Sequence, residues 1–261
     1  MFATECRHIS THTQPPIPAA STACMTRRRW IADETSGNRA ALVGAHADHL
    51  VRVLRVRTGQ DFDIACGSVV RRGRVCAIGD GRVEFELGEE VPTVAGLALT
   101  LALAVFKFDR MEWAIEKCTE LGVERIVPVI AQRSDAHLAA AAGKRVERWQ
   151  RIAREAAEQS RRDAPPQIAS PVKVKEAVAL PGSMRILLAE SETQGRLKDV
   201  LADHPQGEGI VLAIGPEGGW TEKERKQFME AGWIAASMGG AILRAETAAM
   251  AAVAIVAAAE H

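Results

Sequence analysis

After Pro92 the chain alternates short apolar runs of strand character with longer segments of helical period, and no other feature restricts its possible folds so severely. The strand-like runs cover residues 97–105, 125–130, 185–189, 209–214 and 233–238, and helical patterns cover 109–121, 144–160, 221–231 and 245–259. Parallel neighbours need a crossover between them, usually a helix, so this alternation implies a parallel sheet covered by helices on both faces. In the first helical pattern Met111, Ile115, Cys118 and Leu121 share one face, with Asp109 as the expected cap and Gly122 as the expected stop. In the second, Val146, Trp149, Ala153, Ala156 and Ala157 point inward, while Arg145, Arg148, Arg151 and Arg154 point mostly to solvent.

Ahead of Pro92 the pattern is different. Apolar runs at 69–78 and 83–87 are punctuated by Gly73 and by Gly79-Asp80-Gly81, which are turn signals between strands, and one helical segment, 46–55, precedes them. This half reads as a small β-rich domain, a compact barrel ending near residue 92. Residues 1–26 carry scattered Ser, Thr, Pro and His without a hydrophobic period, so they are expected to be disordered or an upstream extension, with the fold starting near Met25. A length of 261 residues with 47% hydrophobic content suits two unequal domains, 27–92 and 93–261.

Several function classes are set aside by what is missing. The longest uncharged apolar runs, 94–105 and 248–259, fall short of the roughly 20 residues a spanning helix needs. No secretory pattern opens the sequence, which predicts a cytoplasmic protein. The five cysteines (Cys6, Cys24, Cys66, Cys76, Cys118) are scattered, so reduced and mostly buried thiols are expected, with no metal site. His46 and His49 lie on the expected helix of the small domain without a ligand set around them. Formal net charge is zero, which argues against a protein that coats phosphate backbones without selectivity. Yet residues 27–74 hold ten arginines against five acids, and no lysine occurs before Lys107. Arginine suits bidentate phosphate contacts, and codon bias explains the missing lysines equally well.

Ligands of an open parallel sheet bind beyond the carboxyl ends of its strands. The loops after Ala189, Ile214 and Met238 are therefore the candidates, and two are glycine-rich. Gly215-Pro216-Glu217-Gly218-Gly219-Trp220 follows an apolar strand and leads into Thr221-Glu222-Lys223-Glu224, a capping-box sequence that opens a helix. Met238-Gly239-Gly240-Ala241-Ile242-Leu243-Arg244 leads into the last helix in the same way. Glycines there let backbone groups approach a ligand closely, although glycine after a strand is also ordinary turn punctuation. Neither loop is a dinucleotide or triphosphate fingerprint, and no nucleophile elbow is present.

Taken in order, Lys107 with Arg110, Lys117 to Val123, Arg133-Ser134, Arg154 to Arg162, Gly215 to Gly219 and Ile242 to Ala248 resemble the motifs of the RsmE family of ribosomal RNA small-subunit methyltransferases. The likeness runs from about Arg27 to the C-terminus. In the small domain, Arg27-Arg28-Arg29-Trp30 and His49 to Arg55 with Gly59 are similar to the family's PUA-like RNA-binding domain. The resemblance implies an α/β protein with a small N-terminal PUA-like β-barrel and a C-terminal SPOUT domain holding a trefoil knot. It also implies a homodimer that uses S-adenosylmethionine to methylate N3 of a uridine in 16S ribosomal RNA. Trp220, where Phe or Leu is usual, and the loosely matching Met238 to Ala241 are departures.

The donor site so implied comprises Leu188, Ala189 and Glu190, then Gly215, Pro216, Glu217, Gly218 and Gly219, then Met238, Gly239, Ile242, Leu243, Ala245, Thr247 and Ala248. RNA contacts are assigned to Arg27, Arg28, Arg29, Arg55, Arg133, Arg161 and Arg162. Uracil N3 must lose a proton, and a nearby cation favours the deprotonated ring, so Arg244 is the candidate catalytic group, unless it is spent on a salt bridge to Glu246 or Glu217. The alternative function is an RNA-binding module that holds S-adenosylmethionine without turnover.

Overall fold

The structure is a computed structural model that describes residues 29–67, 69–93, 96–189, 195–202 and 208–260. The expected extension 1–26, Arg27, Arg28 and Glu190 lie outside the described residues.

The N-terminal half is one six-stranded sheet. Its strands are β1 (Arg29–Ile31), β2 (Glu34–Ser36), β3 (Arg39–Val43), β4 (Asp61–Cys66), β5 (Val69–Gly79) and β6 (Arg82–Glu90), in the order β1-β4-β5-β6-β3-β2. Only β1 and β4 pair in parallel. The β5–β6 hairpin turns through Asp80 and Gly81, both at positive φ, the handedness that matches strand twist. Gly73 proves not to be punctuation. It lies inside β5, where a Cβ would come within 2.4 Å of the Ile64 side chain, so glycine is there to let β5 close on β4. The expected single helix 46–55 is instead α1 (Ala45–Asp48) followed by a wider turn, His49–Val53, with Leu54 N–H bonded back to the His49 carbonyl. That wider turn keeps Leu50 fully buried with Leu42, Ile64 and Phe85. Arg55 then takes a positive φ of 51°.

The C-terminal half runs β7 (Leu97–Ala104), α2 (Phe108–Glu120), β8 (Val123–Ile130), α3 (Ala136–Ala141), α4 (Val146–Gln159), β9 (Gln167–Ile168), β10 (Val172–Lys173), α5 (Val174–Ala177), β11 (Met184–Leu188), α6 (Leu197–Leu201), β12 (Ile210–Ile214), α7 (Glu222–Glu230), β13 (Ile234–Ala236) and α8 (Ala245–Glu260). All strand pairs are parallel, in the order β10-β8-β7-β12-β11-β13 with β9 beside β8. Strand side chains alternate between two cores. Leu99, Leu101 and Leu103 face Met111, Ile115, Trp149 and the apolar face of α8, while Ala102 and Ala104 face Phe228 and Trp233. Lys107, not Asp109, occupies the N-cap of α2; Asp109 stands in the first turn, where its charge complements the helix dipole. Of the three described cysteines only Cys118 is buried, and burial pushes its thiol up to about 12.

Salt bridges tie α4 and the turn after it to the first sheet. Arg154 donates to the Ile31 carbonyl at 2.6 Å and pairs with Asp33 at 2.8 Å. Arg29 pairs with Asp163 at 2.6 Å. His46 Nδ1 lies 3.1 Å from Asp33, and Glu158 faces both Arg154 and His46. Burial raises the Glu158 carboxyl above its ordinary value, against the pull of these cations.

Candidate functional site

Three neighbouring parallel strands, β12, β11 and β13, end on one edge of the sheet, and the chain leaves each of them into a cavity of about 690 Å³. That volume falls within the range of small-molecule sites. Apolar strand ends and two glycine-rich loops build most of its wall.

The first loop, 215–220, is shaped by its own backbone. Gly219 N–H closes a turn on the Pro216 carbonyl at 2.7 Å, and Gly219 has φ +67°, which a side chain tolerates poorly. A Cβ on Gly215 would meet the Trp220 indole at 3.2 Å, and one on Gly218 would meet the Arg133 side chain at 3.3 Å. The capping box forms: Thr221 Oγ1 accepts from Glu224 N–H, and Thr221 N–H donates to Glu224 at 2.8 Å. Glu224 also accepts from the Gln132 backbone N–H at 2.7 Å, and Ser134 Oγ donates to the Val105 carbonyl. The segment after β8 is thereby fixed, and Arg133 donates to the Gly218 carbonyl at 2.6 Å. In the second loop Gly239 has φ +114°, and Ile242 is 83% exposed.

Of the expected donor-site residues, Leu188, Ala189, Gly215 to Gly219, Met238, Gly239, Ile242, Leu243, Ala245 and Ala248 all line this one cavity. Thr247 is exposed and outside its wall. Arg244 is also exposed and off the wall, and the salt bridge to Glu246 or Glu217 that was the other reading of it does not form. Both carboxylates face Arg110 instead. Arg196, Glu222 and Arg225 line the cavity as well and were not expected. Arg225 pairs with Glu222, whereas Arg196 is brought in by a parallel bridge to Ser237, a pairing no local pattern announces.

The arginines expected to touch RNA fall into separate settings. Arg133 belongs to the cavity. Arg29 is bound to Asp163 and to the Arg161 carbonyl. Arg162 turns inward, donating to the carbonyls of Thr119 at 2.9 Å and Val123 at 2.7 Å, and burial lowers its pKa. Arg55 and Arg161 are exposed. The excess of arginine in the first sheet is offset by acids of the same sheet: Arg72 pairs with Asp63, Arg74 with Asp61, and Arg82 with Glu34 and Glu84. Among the described residues no cluster of three or more His, Cys, Asp or Glu could hold a metal ion, and no helix is long and apolar enough to cross a membrane.

A cavity lined by glycine loops at the carboxyl edge of a parallel sheet defines a class, and residues 94–257 match the model of the RNA methyltransferase domain family. The ribosomal RNA small subunit methyltransferase E of Synechocystis sp. is 35% identical over 79% of this chain and 69% of its own length. That of Bacillus subtilis is 31% identical over 80% and 85%. A crystal structure of the Neisseria gonorrhoeae ribosomal RNA small subunit methyltransferase E, bound to S-adenosyl methionine, has a TM-score of 0.75 at 33% identity, covering 87% of this chain and 95% of that one. The chain belongs to the ribosomal RNA small subunit methyltransferase E family.

Proposed function

We propose that this protein methylates N3 of a uridine in the 16S RNA of the small ribosomal subunit, with S-adenosylmethionine as donor. One observation carries the reading: the two glycine-rich loops wall a single cavity, in a family whose Neisseria member is bound to that donor. The residues present fit such a molecule. Leu188, Ile214, Leu243 and Ala248 offer apolar surface for a flat ring, and the glycine loops bring backbone polar groups to the wall without side chains in front of them. Held there, the donor supplies an electrophilic methyl carbon.

What the chain must add is placement of the ring nitrogen in line with that carbon and help in removing its proton. Arg244 is exposed beside the cavity and has no ion pair among the described residues, so its charge is available to the carbonyl oxygens of a bound uracil. Arg55 and Arg161, both exposed residues, are assigned to phosphate contact. Residues 27–92 are assigned to RNA binding as a PUA-like barrel, and 93–261 to a SPOUT domain. A trefoil knot is assigned to that domain; β13 lies beyond β11 from β12, so the connection through α7 has to pass β11 before α8 packs on α2. Ile242, highly exposed next to the cavity, suits a homodimer interface close to the active site. The place of work is the cytoplasm.

Transfer of tritiated methyl groups to 16S RNA, offered naked and as assembled small subunits, tests the proposal. Labelling that maps to N3 of one uridine is expected. Donor binding without labelling of either substrate would leave an RNA-binding module that holds S-adenosylmethionine without turnover.

A further inference from the structure

Among the described residues, Arg110 is the one charged side chain that links the first glycine-rich loop to the start of the helix after the second, and nothing in the transfer chemistry uses it. It is the third residue of α2. Its Nη1 donates to Glu217 in the first loop at 3.0 Å and lies 3.6 Å from Glu246, the second residue of α8, directly after the second loop. The two partners differ in kind. Glu217 is on the cavity wall and about half exposed, whereas Glu246 is 3% exposed and its Oε2 is buried with no hydrogen-bond partner.

A buried carboxylate paired through one oxygen only, at 3.6 Å, is a weak source of stability, because desolvation offsets most of the attraction. It does fix geometry. Ala245 and Ala248, on either side of Glu246, both line the cavity. We infer that Arg110 is a positioning residue: by binding Glu217 and Glu246 together it sets the distance between the two glycine-rich walls of the donor cavity. Arg133 holds the same first loop through the Gly218 carbonyl. The first loop is then held at adjacent residues by two guanidinium groups, Arg110 on the Glu217 side chain and Arg133 on the Gly218 carbonyl.

The role in donor binding rests on the proposed function; the effect on the loop does not. Arg110→Met alone strands the buried Glu246 charge and threatens the fold, so the informative variants are Arg110→Met/Glu246→Gln, which neutralises both, and Glu217→Gln, whose site is too exposed to endanger folding. Arg110→Lys keeps the charge. Hydrogen exchange of amides 218–220 in the ligand-free protein should quicken about tenfold in the double variant and in Glu217→Gln, with melting temperatures close to wild type. S-adenosylmethionine affinity should fall about tenfold in the same two variants and recover in part with Arg110→Lys. Wild-type exchange rates in both variants, or losses that only follow melting temperature, would overturn the inference. A wild-type protein that fails to bind S-adenosylmethionine would instead defeat the donor-site reading, and the exchange comparison would still decide the role of Arg110.

Discussion

The cavity edge of the parallel sheet and the arginine-rich first sheet stood out in the sequence for different reasons, and the fold treats them differently. At the cavity edge, Gly219 and Gly239 have positive φ and a Cβ on Gly215 or Gly218 would press on Trp220 or Arg133, so four of the five loop glycines are ones the backbone needs there, Gly240 being the exception. In the first sheet Arg72 and Arg74 meet acids on the neighbouring strand, Arg82 meets Glu34 two strands away and Glu84 on its own strand, and Arg29 bonds to Asp163 in the C-terminal half, where Arg162 donates to the carbonyls of Thr119 and Val123. A glycine's role follows from its own backbone. An arginine's role depends on which acid or carbonyl the fold carries to it, and charge counted along a sequence overstates the charge left for a partner.

The sharpest way to break this contrast is Gly218→Val. Its side chain would press on Arg133 and stand where a ligand meets the backbone, so donor affinity measured by calorimetry should fall at least about 100-fold with the fold retained. Unchanged affinity would mean that the glycines are only turn punctuation after all.

Next in size is Arg162→Ala, which removes the guanidinium from the carbonyls of Thr119 and Val123. A loss of about 2 kcal/mol is expected, or a melting temperature lower by roughly 4–8 °C, with the salt dependence of RNA binding unchanged. A lowered salt slope at normal stability would return Arg162 to the RNA path.

Arg55→Gln asks the opposite of an exposed arginine. It should leave the melting temperature alone and reduce the slope of log affinity against log salt by about one. An unaltered slope in filter binding would remove the wider turn after α1 from the RNA surface.

The smallest effect is expected where the halves meet. The Glu158 carboxyl, facing Arg154, His46 and Asp33, holds its proton more tightly folded than unfolded, because burial outweighs the nearby cations. Its contribution to stability is therefore fully present below the ordinary carboxylate range and lost as pH rises through its raised value. Glu158→Gln cannot titrate, so wild-type stability should decline relative to this variant as pH rises through that window. Parallel urea curves at every pH would show that the contact carries no such linkage.

The sequence by itself determined the parallel sheet, the glycine loops at its carboxyl edge and the Thr221 capping box, because each depends on a repeat or a spacing within one segment. It also announced Gly73, but as a turn. Only contact with Ile64 on the adjoining strand reveals why no side chain fits there. Likewise Arg133 was legible as part of a motif, while its place against Gly218 required β8 and β12 to end on the same edge of the sheet. The tertiary structure alone decided that Arg110 rather than Arg244 meets Glu217 and Glu246, that Arg196 reaches the cavity, and that Arg162 faces inward. Those partners stand from 39 to more than 100 residues apart along the chain, as Arg162 does from Val123 and Arg110 from Glu217, and a charge carries no local signature of the partner that folding will bring to it.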